Sequence, residues 1–155
     1  MKYRRLTMEE LEALESDFIQ FLAANSISGA DWEKMKTEEP EQAESLVEKF
    51  SDVVLQKVLE RIEFVELRTS KDWKVFKCGK EKIQLVGIST AEDSTLDFTQ
   101  IKMLNELADS DSEVYTAEKE YAEEREIEVF NMLNNGCGIA DGKLFGILEE
   151  LATGE

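Results

Sequence analysis

The N-terminal part of the chain carries apolar residues at the three- and four-residue spacing of an amphipathic helix. A capping-box pattern at Thr7 and Glu10 precedes them, so we predict a first helix from Thr7 to Ala24. Its apolar stripe consists of Leu11, Leu14, Phe18, Phe21 and Leu22. Asn25 to Gly29 interrupt this pattern, and Ser28 with Asp31 then caps a short turn that bears Trp32 and Met35.

The longest predicted element begins at Pro40, the only proline. Its helical pattern continues to Leu67, which predicts a helix over 40–67 of about 28 residues and about 42 Å. The apolar arc of this helix is close to 180° wide on a helical wheel, as is typical of a central helix touched by several neighbours or shared with a second subunit. Lys57 and Arg61 lie inside that arc.

The periodicity changes to two after Ser70, which predicts a β-hairpin over about 73–89. Two strands alone are marginally stable in water, so we expect a third strand. Its best candidate is 113–116, and the next is 95–98. Further helices are predicted over about 99–108, 117–134 and 141–152. The fold class is therefore α+β: a mostly helical single domain, 1–155, with a long central helix and a small antiparallel sheet.

Composition narrows the possible functions. With 35 Asp and Glu against 18 Lys and Arg, the net charge is −17 at pH 7, which argues against a whole-surface nucleic-acid or anionic-membrane binder. A hydrophobic content of 42% exceeds that of a disordered acidic tail. The sequence has no histidine, which excludes Ser-His-Asp and Cys-His catalysis and any His-ligated metal site within one chain.

Local sequence indicates the compartment. The basic N-terminal residues are followed by Thr7 to Glu10 instead of an apolar run, and the apolar stretches are too short to span a bilayer. Cys78 and Cys137 lie far apart in the sequence, as suits reduced thiols better than a disulfide scaffold. We therefore expect a cytoplasmic protein that does not contact membranes.

Charge is unevenly distributed. Residues 68–82, named here the basic hairpin, have a net charge of about +4 while the remainder has about −21. Its cations are Arg68, Lys71, Lys74, Lys77, Lys80 and Lys82. In one interpretation the hairpin grips an anionic ligand, a nucleic-acid backbone or an acidic partner, with Trp73, Lys80 and Lys82 as the interaction surface and Phe76 also free to stack. In the other, which we favour, the cations protect sheet edges and offset the acidic helices.

A second candidate site is a partly buried anion site on the long helix. Arg61 and Lys57 would form it, since a guanidinium offers a planar fork for a carboxylate or phosphate. Arg68, Lys74 and Lys77 are further candidate ligand-binding residues. The alternative is that these cations pair with nearby glutamates or extend along apolar surface.

Three motifs fit metal or phosphate chemistry poorly. The pairs Glu41/Glu44 and Glu60/Glu63 would lie about 28 Å apart on one predicted helix, too far to share ions. The acidic stretch that begins at 109 lacks the glycine of a calcium loop. Residues 136–143 lack the spacing of a phosphate-binding loop and read as a helix stop followed by a new N-cap. We predict no metal, no cofactor and no catalytic residue, and we expect Cys78 to be a core residue.

Several segments resemble a family of small acidic bacterial proteins of unknown function. They are the opening Met1-Lys-Tyr-Arg-Arg-Leu-Thr, the strand Lys74-Val-Phe-Lys-Cys, Val114-Tyr-Thr-Ala, and Asn135-Gly-x-Gly-Ile-Ala-Asp-Gly-Lys-Leu-Phe. The resemblance covers nearly the whole chain. It implies a bacterial cytosolic protein of one domain, and it assigns no activity, substrate or site residue.

Two classes of function remain. The leading hypothesis is a non-enzymatic protein-interaction or regulatory module, either a homodimer through the 40–67 or 141–152 helix or the binder of an acidic protein. The alternative is a small-anion or nucleotide-binding protein or an enzyme that uses Arg, Lys and carboxylates. A further alternative is nucleic-acid contact through the basic hairpin. A pocket that gathers Arg61, a hairpin lysine and a glutamate would favour the enzyme.

Overall fold

The computed structural model describes residues 1–102 and 112–153. These residues form helices and one antiparallel sheet, so the α+β class is confirmed. The chain divides into two compact units, 1–58 and 59–155, which we call the N-terminal unit and the C-terminal unit. The helices are α1 (Met8–Ala13), α2 (Glu15–Ala24), α3 (Gly29–Glu38), α4 (Pro40–Arg61), α5 (Arg125–Asn134) and α6 (Gly142–Thr153).

The predicted N-terminal helix is two helices, α1 and α2. Its capping box is confirmed, because the Thr7 hydroxyl accepts the Glu10 N–H and the Glu10 carboxylate accepts the Thr7 N–H. The Leu14 N–H is shared between the carbonyls of Glu10 and Leu11 at 3.1 and 3.2 Å, which tightens the last turn of α1 and separates the two helices. The cap at Ser28 and Asp31 is also confirmed, and it begins α3.

Glu10 forms an ion pair with Arg4, at 2.8 Å, near the start of the chain. The Arg4 guanidinium and the Thr7 N–H together lower the pKa of the Glu10 carboxyl from 4.5 to about 2. A depressed pKa means that the ionised carboxylate stabilises the fold above pH 4.5 and that this stabilisation is lost as the pH falls towards 2. The Glu10 side chain is 38% exposed, so solvent screening keeps the effect on stability small.

We expect a carboxyl-carbon NMR titration of Glu10 to give a midpoint near pH 2. The Arg4→Gln variant should raise that midpoint, because the hydrogen bond from Arg4 is the largest cause of the shift. A midpoint that stays the same in both proteins would contradict the assigned cause.

The long helix ends earlier than predicted. Helix α4 stops at Arg61, and residues 64–67 belong to a strand, so the prediction of a 40–67 helix is wrong at its C-terminal end. The spacing of Phe64, Val65 and Leu67 is compatible with both the helix period and the strand period. Hydrogen bonding to the neighbouring strand makes this segment a strand. The structure indicates no single central helix: the buried residues of α4 lie on one face as far as Ser51, whereas Leu59 lies about 180° around the helix from Phe50.

The sheet has five strands in the order β4-β3-β2-β1-β5, all antiparallel neighbours. They are β1 (Phe64–Arg68), β2 (Asp72–Cys78), β3 (Lys82–Ser89), β4 (Glu113–Glu120) and β5 (Gly138–Ala140). The predicted hairpin is β2–β3, and the predicted third strand lies in β4. The prediction of a small sheet is wrong, because β1 and β5 add two strands beside β2 and β4 is twice the predicted length.

Two other predictions on the C-terminal unit need correction, and a third falls mostly outside the described residues. Residues 117–120 pair with β3 as part of β4, so the helix predicted over 117–134 begins only at Arg125. The 95–98 segment is no strand, and Phe98–Gln100 forms a 3₁₀ turn. Residues 103–111, which hold most of the helix predicted over 99–108 and the first three residues of the acidic calcium-loop-like stretch, lie outside the described residues.

The stop after α5 and the start of α6 are confirmed. Gly136 has a φ of 105°, in the left-handed region that glycine reaches without strain. Residues 138–140 then pair with β1, which the sequence did not indicate. Asp141 accepts the Lys143 N–H at 2.9 Å and so caps the first turn of α6.

Helix α6 covers one face of the sheet and forms the main core of the C-terminal unit. Its apolar residues Leu144, Phe145 and Leu148 are buried. They form one cluster with Trp73, Val75, Val86, Ile88 and Phe98. The apolar face of α6 is therefore used within the chain itself.

Gly87 on β3 makes room for the ring of Tyr115 on β4. A Cβ at Gly87 would lie 2.2 Å from the Tyr115 ring, so Gly87→Ala must displace the ring and break the bond from the Tyr115 hydroxyl to Asp72. We expect a loss of about 1–3 kcal/mol in the free energy of unfolding, measured by urea denaturation. Gly29→Ala is the control, since nothing lies within 4 Å of its new Cβ. If Gly87→Ala lowers the free energy of unfolding no more than Gly29→Ala does, the position of the Tyr115 ring does not depend on Gly87.

Candidate functional site

Most cations of the basic hairpin are bound within the C-terminal unit. The Arg68 guanidinium lies 3.7 Å from the centre of the Trp73 ring and 3.3 Å from the Glu66 carboxylate. Lys71 donates to the carbonyls of Ser94 and Leu96 at 2.5 and 2.8 Å. These contacts use two of the six cations to hold the fold.

Two more hairpin cations pair with carboxylates. Lys74 pairs with Asp72 on its own strand, and Lys82 on β3 lies 3.0 Å from Glu118 on β4. Hydrogen bonding to Asp72 raises the pKa of Lys74, so this ammonium stays charged and paired. Two carboxylates outside the hairpin, Glu66 and Glu118, thus offset part of its excess positive charge inside the unit, which favours the second interpretation of the hairpin.

Trp73 is a core residue. Its side chain is 2% exposed, and its indole N–H donates to Glu66 at 3.3 Å. Because Trp73 lies on the side of β2 that α6 and Phe98 cover, the ring is not available to stack on a ligand, contrary to its predicted place in the interaction surface. Phe76, on the other side of β2, is half-buried.

The two predicted cations of α4, Lys57 and Arg61, are both exposed. Arg61 does not line a cleft of about 550 Å³ in the C-terminal unit. That cleft is lined instead by Lys77, Lys80, Glu60, Glu63, Glu126 and Arg125, over a floor of Phe64, Cys78 and Gly79. Arg61, a hairpin lysine and a glutamate therefore do not converge there.

Arg125, which the sequence did not single out, holds this cleft together. Its guanidinium donates to the carbonyls of Leu59 at 2.9 Å, Cys78 at 3.1 Å and Gly79 at 3.2 Å, and also to that of Ile62. The side chain is 13% exposed and lies 3.6 Å from Glu126. Because its donors are occupied by backbone carbonyls, Arg125 stabilises the fold and leaves little capacity for an anionic ligand.

The candidate nucleophiles of this cleft are not activated. Burial raises the pKa of the Cys78 thiol to about 11 and that of Tyr121 to about 12. The Tyr121 hydroxyl donates to the Gly79 carbonyl at 2.7 Å. Burial also raises the pKa of Cys137. Both thiols are therefore protonated at neutral pH, and the prediction that Cys78 is a core residue is confirmed.

The N-terminal unit contains a groove of different character. It has a volume of about 360 Å³, and we call it the N-terminal groove. Its lining is mainly apolar and comes from all four helices of the unit. The lining residues are Met8, Leu11, Phe18, Trp32, Pro40, Ala43 and Val47, with Arg5, Lys36 and Glu44 at the rim.

An aromatic cluster shapes the floor of the N-terminal groove. The Phe18 ring meets the Trp32 ring edge-to-face, with 5.1 Å between centroids and an angle of 81°. Phe18 also lies 5.0 Å from the buried Phe50 ring. These contacts fix Trp32 on α3 against α2. The sequence predicted Phe18 as part of a helix stripe and Trp32 on a short turn, and it gave no sign that their exposed edges meet in one concave surface.

Charged groups and one flexible side chain border this floor. Arg5 Nε lies 2.5 Å from Glu44 Oε1, and this bond raises the pKa of Arg5. Lys36 lies 3.0 Å from Glu33. Met8 is 65% exposed at the lip, and its unbranched thioether can adapt to different apolar surfaces. An apolar floor with a charged rim suits an amphipathic ligand.

Metal-ligand clusters and membrane-spanning helices are absent from the described residues. Over 1–102 and 112–153, no group of three or more Cys, Asp or Glu is placed to hold a metal ion. No helix in those ranges is long and apolar enough to cross a membrane.

Comparison with known proteins gives one match. A model described as "Family of unknown function (DUF6495)" matches residues 1–153. No curated protein and no solved structure matches the chain. The match agrees with the resemblance seen in the sequence segments and extends over almost the whole chain.

Proposed function

The chain belongs to the DUF6495 family, a family of unknown function, and we propose that it is a non-enzymatic protein-interaction module whose N-terminal groove binds an amphipathic helix of a partner protein. The observation that carries this proposal is the N-terminal groove itself, an apolar floor of about 360 Å³ on a strongly charged helical unit. An amphipathic helix places apolar side chains at i, i+3, i+4 and i+7 on one face, which is the shape such a groove receives.

Contact chemistry supports this choice. Phe18 and Trp32 present large apolar surfaces that are held in place by their own packing, so little conformational entropy is lost when a ligand covers them. Aromatic residues of this kind are frequent among the residues that dominate binding energy. Met8 at the lip adds adaptable apolar surface.

The C-terminal unit offers weaker support for the alternatives. In the 550 Å³ cleft Arg125 is bound to carbonyls and the Cys78 pKa is raised. The exposed Lys77 and Lys80 share its lining with three glutamates, Glu60, Glu63 and Glu126, whose negative charges disfavour an anionic ligand. Nucleic-acid contact would need free hairpin cations, whereas Arg68, Lys71, Lys74 and Lys82 have partners in the fold. We further propose a cytoplasmic location, because both thiols are free.

A titration with a designed peptide tests the groove. The probe is a synthetic helix with leucine at i, i+3, i+4 and i+7 and glutamine elsewhere, added to ¹⁵N-labelled protein. The chain has two tryptophans, so the spectrum contains two indole N–H signals. We expect the Trp32 signal to shift saturably, because Trp32 lines the groove, and the buried Trp73 signal to stay in place.

Matched variants locate the binding. Leu11→Lys puts a charge into the groove and should weaken binding by roughly tenfold or more. Ile19→Lys makes the same kind of change on an exposed residue of α2 that does not line the groove, and it should have little effect. A Trp32 signal that does not move, or equal weakening by the two variants, would show that the groove is not the binding site.

A further inference from the structure

We infer that the partner helix is basic and that one of its cations displaces Arg5 from Glu44 when the helix enters the N-terminal groove. This inference rests on the proposed function of that groove. It names the chemistry of the partner and identifies an internal ion pair that competes with it.

The charge of the N-terminal unit favours a basic partner. Residues 1–58 contain 13 Asp and Glu against 7 Lys and Arg, a net charge of −6 at pH 7, and the whole chain carries −17. Exposed carboxylates lie on the helices that form the groove, at Glu9, Glu12, Glu33, Glu38 and Glu41. Their summed field accelerates the approach of a cationic segment and slows that of an acidic one.

Glu44 is placed to meet such a segment. It lines the groove from α4, between the apolar positions Ala43 and Val47. A cation one turn away from an apolar anchor on the incoming helix would therefore meet Glu44 while the anchor contacts the apolar floor. Glu44 is 46% exposed, so a ligand can reach its carboxylate.

The existing bond between Arg5 and Glu44 is open to exchange. It is bidentate, with Nε 2.5 Å from Oε1 and Nη2 3.2 Å from Oε2, but Arg5 is 36% exposed and Glu44 46% exposed, so water and an incoming cation can reach both groups. Arg5 also donates through Nη1 to the Leu6 carbonyl at 3.0 Å, so its guanidinium keeps a partner after Glu44 is lost. The exchange replaces one surface ion pair by an intermolecular one at the border of a newly covered apolar contact.

An acidic helix would meet the opposite situation. The cations that line the groove are Arg5 and Lys36, and both are bound to carboxylates, Glu44 and Glu33. An acidic ligand would release those two carboxylates into a unit that is already negative. The geometry thus points to a cationic partner, with Arg5 as the group it must displace.

Three peptides that share one leucine stripe test the charge of the partner. Their remaining positions are lysine, glutamine or glutamate, and binding is followed by the Trp32 indole signal at low and high salt. We expect the lysine peptide to bind roughly tenfold tighter than the glutamine peptide at low salt, and the glutamate peptide to bind weakest. Added salt should reduce these differences because it screens the charges.

Variants at the rim test the exchange. Glu44→Gln should weaken the binding of the lysine peptide several-fold. Arg5→Gln should strengthen its binding, because the carboxylate of Glu44 is then free. Glu38→Gln is the matched control: it removes the same charge from an exposed position that does not line the groove. Circular dichroism of all three variants checks that the helices are intact.

The outcomes separate the two proposals. Equal binding of the three peptides, or equal effects of Glu44→Gln and Glu38→Gln, would overturn the basic-partner inference and leave the groove as a binding site. Tightest binding of the glutamate peptide would overturn it in favour of an acidic partner. If no peptide moves the Trp32 signal, the proposed function itself fails. A free chain that is a dimer by light scattering and that Leu11→Lys converts to a monomer would show that a second copy occupies the groove.

Discussion

Replacing Arg125 with methionine is expected to lower the free energy of unfolding by about 3–5 kcal/mol. The guanidinium donates to the carbonyls of Leu59, Ile62, Cys78 and Gly79, which come from the end of α4 and from the end of β2. The methionine side chain keeps much of the apolar stem and removes every donor. Part-buried carbonyls then lose their hydrogen bonds, and each loss is costly because water replaces the donor poorly.

The same substitution at Arg61 provides the control. Arg61 is an exposed arginine at the last residue of α4, and its change to methionine should stay within about 0.5 kcal/mol. Arg125→Lys should fall between the two, because one ammonium cannot reproduce the fork that reaches separate carbonyls. Urea denaturation followed by circular dichroism measures all three. If Arg125→Met and Arg61→Met cost the same, Arg125 does not hold these segments together.

Arg125 also shows why local sequence could not reveal every important residue. Its carbonyl partners lie between 46 and 66 residues away along the chain, and carbonyls are present at every position whatever the side chain. In the sequence it stands among glutamates at the start of a helix, as solvent-exposed arginines often do. Only the fold brings the end of α4 and the end of β2 within hydrogen-bond distance of its guanidinium.

The elements that were predicted correctly have strong local signals. The capping boxes at Thr7 and Ser28 and the glycine stop at Gly136 each act within a few residues, so their geometry follows from the sequence. The hairpin β2–β3 also has a short connection and a clear period of two.

The elements that were missed depend on distant partners. Residues 64–67 continue the helical pattern of α4, and only pairing with β2 and β5 makes them a strand. Residues 117–120 become part of β4 because β3 offers a ladder over its full length. Likewise, the charge count of the basic hairpin was correct, but the groups that bind its cations, such as the carbonyls of Ser94 and Leu96, are remote in sequence.

The N-terminal groove illustrates the same limit for a site. Leu11, Phe18, Trp32 and Val47 each follow a helical stripe, and such stripes predict burial. That some of their surface stays uncovered depends on how the helices pack. The sequence therefore predicts apolar residues for the groove and acidic residues around it, but it does not predict that these residues form a concave surface.

Replacing Phe98 with alanine is expected to lower the free energy of unfolding by about 3–5 kcal/mol. A loss of this size is typical of the same substitution in a buried helix or strand. Phe98 lies in a 3₁₀ turn outside the helices and strands, yet its side chain is fully buried and lies 6.5 Å from the Trp73 ring. The backbone of this segment is held as well, because the Phe98 N–H donates to the Ser70 carbonyl at 3.0 Å. Ile139→Ala, at an exposed position of β5, should change stability by less than about 1 kcal/mol.

Coupling between Phe98 and Lys71 tells whether this segment behaves as one unit. Lys71 anchors it through the carbonyls of Ser94 and Leu96, so a segment already released by Phe98→Ala has less to lose when Lys71→Met is added. We therefore expect the double variant to be more stable than the sum of the single losses predicts, by about 0.5 kcal/mol or more. Urea denaturation of the two single variants and the double variant measures this difference. Strict additivity would mean that the aromatic anchor and the lysine anchor hold the chain independently, and that Phe98 stabilises the core by its own packing alone.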